Sequence, residues 1–135
     1  MTVQFTVPGK PMGKQRPRFN SRTRTTYTPE ETLTYEEEVQ WAYRMATKAK
    51  MLKGNIKAEI VAYYPIPKST SKKQRAAMIE GYILPAKKPD TDNIAKIILD
   101  SLNGIAYDDD SQVVSLSVIK RYSENPHVDV RLEEI

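Results

Sequence analysis

Residues 88–112, KPDTDNIAKIILDSLNGIAYDDDSQ, carry the pattern from which the fold is read. Two aspartates one residue apart, Asp90 and Asp92, follow a proline. Ile94, Ile97, Ile98 and Leu102 then recur on one face at the 3.6-residue period of an amphipathic helix. The segment turns at Asn103-Gly104 and closes on Asp108, Asp109 and Asp110. Two carboxylate clusters joined by one short helix can meet around a divalent cation.

Working outward, the flanking segments alternate at period two and supply a sheet for that helix. Upstream, Ile56, Ala58, Ile60 and Ala62 predict a strand over 56–64, ended by Pro65 and Pro67. A short helix follows over 69–81, capped by Ser69, Thr70 or Ser71 and closed by Gly81, with the cations of KKQR exposed. Downstream, Val114, Leu116 and Val118 predict a strand over 112–121, and after a Ser123–Pro126 turn Val128, Val130 and Leu132 predict another. At the N-terminus Val3, Phe5 and Val7 mark a strand over 2–8. Thr28 at the N-cap, Pro29 as first helical residue and Glu31 as third make a capping box for a helix over 29–50. Its inner face is assigned to Leu33, Val39, Tyr43, Ala42 and Ala46, with Trp41 near the edge and the glutamates between 30 and 38 as a solvated face. The order β-α-β-α-α-β-β predicts a single compact α+β domain, residues 1–135, with a small mixed four-stranded sheet packed by helices.

Residues 10–27 stand apart. Pro8, Pro11, Pro17, Gly9 and Gly13 argue against regular structure, so a long loop or arm is expected. Lys10, Lys14, Arg16, Arg18, Arg22 and Arg24 make it cationic without a single acid, while Phe19 and Tyr27 either stack on bases or pack inward. The chain's net charge is +4, and its acids gather instead in 30–38 and 90–110. A basic arm beside an acidic cluster suits a metal nuclease, the first holding phosphates and the second a cation. There is no cysteine, which excludes disulfides and thiolate chemistry. No apolar run spans a membrane and no secretory signal is visible at the start, so a cytoplasmic protein is expected.

In an extended stretch, residues i and i+2 point the same way, so the Asp90 and Asp92 carboxylates can face one point. Asp92 also sits at a helix start, where the dipole favours an anion. Magnesium takes hard oxygen ligands, typically one or two carboxylates with water and substrate phosphate. A third acid from Asp108–Asp110 would complete such a site. Lys96, one turn beyond Asp92, either steadies a phosphate or forms an ordinary i,i+4 pair worth a few tenths of a kcal/mol. Spacing alone leaves two readings open: catalysis, or helix caps and a hairpin turn.

The motifs D-T-D-N-I-A-K at 90–96, D-S-L-N-G at 100–104 and D-D-S-Q-V at 109–113 together resemble the RusA family of Holliday junction resolvases. The basic P-G-K-P-M-G-K-Q-R-P-R at 8–18 resembles the arm of many members. The resemblance implies a compact α+β homodimer that resolves four-way DNA junctions by paired nicks during recombination and repair, using Mg2+ or Mn2+ and no small-molecule cofactor. Carried over by motif, it implies catalytic Asp90, Asp92, Lys96 and Asp110, with Asp90, Asp92 and Asp110 holding the metal. Because Asp108 adds an acid, a one-residue shift would pass that role to Asp109, although S-Q-V anchors Asp110. Lys88 and, from the arm, Lys14, Arg16 and Arg18 are the implied DNA contacts. His127, between a proline turn and a strand, is assigned a structural part. Two rivals are a structure-selective metal nuclease of other specificity and a DNA-binding module whose acids only cap helices.

Overall fold

The computed structural model describes every residue except Ala49. Four strands form one mixed sheet: β1 (Thr2–Pro8), β4 (Ile56–Pro65), β5 (Val113–Ser123) and β6 (His127–Glu134), ordered β1-β6-β4-β5. β6 runs antiparallel to both β1 and β4, whereas β4 and β5 are parallel. A parallel pair needs a long crossover. Two helices supply it, α2 (Lys72–Glu80) and α3 (Thr91–Ser101). Chain order and space differ here, for β6 passes its predecessor β5 and inserts between β1 and β4.

The sheet's alternation decides where the core lies. Val3, Phe5 and Val7, then Ala58, Ile60 and Ala62, then Val128, Val130 and Leu132 are buried on one face. Helix α1 (Glu30–Thr47) and α3 cover that face, Tyr35, Val39 and Tyr43 from the first meeting Ile94, Ile97 and Ile98 from the second in one cluster. α3 buries Ile94, Ala95, Ile97, Ile98, Leu99 and Ser101, which leaves one narrow polar strip facing out. At its end Gly104 has φ 75°, and the chain doubles back so that the buried Tyr107 hydroxyl donates to Leu99 O at 2.6 Å. The α+β domain with a mixed four-stranded sheet is as expected.

Several local expectations need correction. The basic arm is not wholly irregular: β2 (Arg18–Asn20) and β3 (Thr25–Tyr27) pair as a small hairpin. Its turn is built by the Asn20 side chain, which accepts from the backbone N–H of Arg22 at 2.9 Å. Such local side-chain bonding is invisible to hydrophobic periodicity. The Thr28–Glu31 capping box is absent, because Pro29 is extended at ψ 140° and itself occupies the N-cap. Leu33 and Ala46 face out, since the packing of Thr32, Tyr35, Val39 and Tyr43 sets the helix rotation. On β5, Val114 and Leu116 are 58% and 47% exposed: the strand is a sheet edge, and its register with β4 shifts between Ile56 and Lys57. α1 ends at Thr47, with Lys48 left-handed after it, and the remainder of the expected 29–50 helix includes Ala49, outside the described residues. Helix α2 does use Ser71, whose hydroxyl accepts from Gln74 N at 3.2 Å, and closes at Gly81.

Candidate active site

Asp90 occupies the N-cap of α3 in extended geometry (ψ 158°), and its carbonyl accepts from Ile94 N at 3.0 Å. Its side chain caps nothing, and both Asp90 and Asp92 are exposed. The cap reading of Asp90 thus loses its hydrogen bond, and the pair is left free to bind something else. The turn that carries Asp90 is held from the sheet. Tyr64 of β4 donates its hydroxyl to Pro89 O at 2.6 Å, and Lys120 of β5 donates to Lys87 O at 2.6 Å while lying 5.3 Å from the Tyr64 ring. Burial, and then the Asp90 charge, push the Tyr64 phenol up to about 12, so it remains a donor throughout the physiological range. Neither Tyr64 nor Lys120 is flagged by any sequence motif, because their strands bring them here from 26 residues before Asp90 and 30 after it.

Farther along α3, Lys96 is exposed and Asp100 half-buried. Asp92, Lys96 and Asp100 stand four residues apart, hence on one helix face. Lys96 forms no ion pair with Asp92 among the described pairs. Asp100 has company from two directions. Lys14 Nζ lies 3.9 Å from its carboxylate and 2.8 Å from Glu36 of α1, while Lys14 N donates to Asn93 O at 3.2 Å. The arm's first half is therefore strapped across α3 and α1. Gly13 is needed for that approach, since a Cβ there would lie 2.9 Å from Pro89 Cβ. Glu36, expected on a solvated face, is instead the buried-side partner of Lys14, at 17% exposure.

The aspartate run divides its labour. Asp109 caps a 3-10 turn over Asp110–Gln112 in a capping box with Gln112, accepting from Ser111 N at 3.0 Å. Hydrogen bonds from Ser111 hold its carboxyl below the usual range. Asp110 N donates to Asn103 Oδ1 at 2.8 Å, and the Asp110 carboxyl lies within reach of that of Asp100. Burial first, then hydrogen bonding to Asp100 and the charges of Asp109 and Asp100, push the Asp110 carboxyl up. Asp108 is exposed, its N–H bonded to Gln112 Oε1 at 2.9 Å.

The acids therefore divide between the two ends of α3, Asp90 and Asp92 at its start and Asp100 beside Asp110 at its end. Asp92 and Asp100 are separated by eight residues, about 12 Å of helix axis. Among the described residues, no three acidic or histidine side chains converge as a metal cage. For Mg2+ the donors still fit in kind, because that ion needs only one or two carboxylates beside water and phosphate oxygens. Sequence reasoning does not single out Asp100, although its helical phase with Asp92 is a usable signal.

Residues 8–133 match the sequence model of a family described as Endodeoxyribonuclease RusA. This chain belongs to the RusA endodeoxyribonuclease family. It is also 35% identical to a Bacillus subtilis (strain 168) protein, the uncharacterized protein YqaN, over 98% of this chain and 96% of that one. Family membership implies nuclease activity of the Holliday junction resolvase type, and RusA nucleases are generally metal-dependent. Among the remaining residues assigned to DNA, Arg16, Arg18 and Lys88 are exposed, whereas Lys14 is engaged by its two carboxylates. His127 stacks on Tyr63 at 4.3 Å, with its Nδ1 2.7 Å from Asn125 O. No helix among the described residues is long and apolar enough to cross a membrane.

Proposed function

We propose that this RusA-family chain is a metal-dependent endodeoxyribonuclease that resolves four-way DNA junctions by paired, symmetric nicks. The observation that carries the reading is the uncovered strip of α3: uncapped Asp90, then Asp92, Lys96 and Asp100, with Asp110 folded against its end. Asp90 and Asp92 would hold Mg2+ or Mn2+ with water and phosphate oxygens, and Asp110, which stands at the far end of the strip, would complete the set by moving toward them when the ion binds. When bound, the ion would lower the pKa of a coordinated water and offset phosphate charge. Lys96, exposed and without a carboxylate partner among the described residues, would donate to a non-bridging phosphate oxygen and stabilise charge there. Arg16, Arg18 and Lys88 would contact flanking phosphates. Lys14 serves better as a strut that fixes the arm and the Asp100 carboxylate together. With Asp109 occupied as a cap, Asp110 is the stronger choice for the third ligand.

Paired nicks call for two sites related by a two-fold axis, so the active species would be a homodimer. The outer face of α1 is the surface we assign to it. Trp41 and Met45 are 65% and 67% exposed beside a groove of about 830 Å³ between α1 and β1. Glu37 precedes Trp41 by one turn and Arg44 follows it by nearly one. Two antiparallel copies of α1 centred there would set each Glu37 against the partner's arginine, a self-complementary arrangement.

A nicking assay on a synthetic immobile junction tests the function, run with Mg2+ and with EDTA beside linear duplex and flap DNA. Symmetric nicks on the junction alone, lost in EDTA and in Asp92→Asn, are expected. Equal cutting of flaps or duplex would reduce the reading to a structure-selective or general nuclease. Tight junction binding without cutting under either metal would leave a DNA-binding module.

A further inference from the structure

We infer that the β2–β3 hairpin is a base-stacking wedge, with Phe19 as the side chain that enters an opened junction centre. This rests on the proposed junction substrate and assigns it a second point of attachment, distinct from the acids that cut. Every residue from Arg16 to Tyr27 is exposed, including four arginines, Arg16, Arg18, Arg22 and Arg24. Yet the hairpin is an ordered element. Asn20 Oδ1 accepts from Arg22 N at 2.9 Å, Arg24 N donates to Asn20 O at 2.8 Å, and the Thr23 and Thr25 hydroxyls meet at 2.6 Å.

Register fixes which side chain points where. Arg18 pairs with Tyr27, Phe19 with Thr26 and Asn20 with Thr25. Because neighbours in a strand alternate faces, Arg18, Asn20, Thr25 and Tyr27 share one face, and Phe19 shares the other with Thr26. Arg18 and Tyr27 line a groove of about 810 Å³ against Pro8–Met12 and the start of α1. Their face therefore looks toward the body, and Phe19 looks away from it, 62% exposed.

An outward phenyl ring contributes nothing to the fold's core, so its value lies in a partner. The arginines around it select a polyanion, and the ring itself needs a flat apolar surface. Single-stranded or unstacked nucleic acid offers both, phosphates for the guanidinium groups and an open base face for the ring. Intact duplex offers only the phosphates, because its base faces are already stacked. A branch point, where helices end against one another, is the place in duplex DNA where a base face is cheapest to expose. The wedge thus supplies discrimination between junction and duplex that the carboxylates of α3 cannot.

The test places 2-aminopurine at the branch point of a four-way junction and reads its fluorescence as wild-type protein is added in EDTA, so that no strand is cut. A several-fold rise on saturation is expected with wild type and with Phe19→Trp, and its loss with Phe19→Ala, which should still bind the junction. Tyr27→Ala, on the face toward the body, should keep the rise. An undiminished rise with Phe19→Ala, or wild-type binding without any rise, overturns the wedge and leaves the nuclease reading standing. Failure of wild type to bind the junction at all overturns the substrate assignment and the wedge with it.

Discussion

Asp110 has its carboxyl beside that of Asp100, and burial and the neighbouring acids favour its protonated form. Its folded-state pKa thus lies above the unfolded one, and ionising it costs folding free energy once the pH passes the ordinary carboxylate range. Asp110→Asn should raise the melting temperature at neutral pH, with the gain shrinking as pH falls below the unfolded carboxylate pKa. Thermal scans across pH 3–8 would check the sign, and an equal melting temperature at both ends would refute it. The same substitution should abolish nicking and remove any stabilisation that added Mg2+ confers on wild type. Tyr64 makes the opposite kind of contribution. Tyr64→Phe deletes the bond to Pro89 O, so a stability loss of about 0.5–1.5 kcal/mol is expected in urea unfolding. Since that bond steadies the turn bearing Asp90, kcat for nicking should fall while junction affinity holds.

Helices α1 and α3 each have a covered face and a working face. Ile98 is fully buried in α3, and Ile98→Ala should cost about 2–5 kcal/mol by leaving a cavity under the site. On α1 the charge pattern about Trp41 permits a stricter experiment. Glu37→Arg alone, or Arg44→Glu alone, should weaken a two-fold pairing of these helices by bringing like charges together. The double variant, Glu37→Arg with Arg44→Glu, should restore it, as sedimentation velocity would report. Dimers indifferent to both single changes would move the interface elsewhere, with the exposed edge strand β5 the next surface to examine. Element by element, the amphipathic stretch 91–101 was legible because its apolar residues recur at one period with few interruptions. The hairpin in the arm was not, because three-residue strands held by an Asn20 turn carry too few side chains to show a period.

Across the whole molecule, the arm over residues 10–27 is a long stretch that carries cations and no acid, and binding should reflect those cations. Replacing Arg16, Arg18 and Arg22 together with alanine should flatten the dependence of log K on log salt by roughly 0.9 for each duplex phosphate that is no longer neutralised. The effect should be similar on junction and linear DNA, with the melting temperature unchanged, because these side chains are exposed. An unaltered salt slope in fluorescence-anisotropy titrations would remove the arm from the interface. The sequence by itself determined the α+β class and the principal strands and helices, since those depend on periodicity, caps and local spacing, and it singled out Asp90, Asp92, Lys96 and Asp110 as candidates. Only the tertiary structure decided that β6 inserts between β1 and β4, that Asp100 rather than Asp92 stands beside Asp110, and that Lys14 is spent on Glu36 and Asp100. It also brought Tyr64 and Lys120 under the Asp90 turn. These interactions join segments far apart in the chain and are set by how buried faces pack together, and no local pattern of residues encodes them.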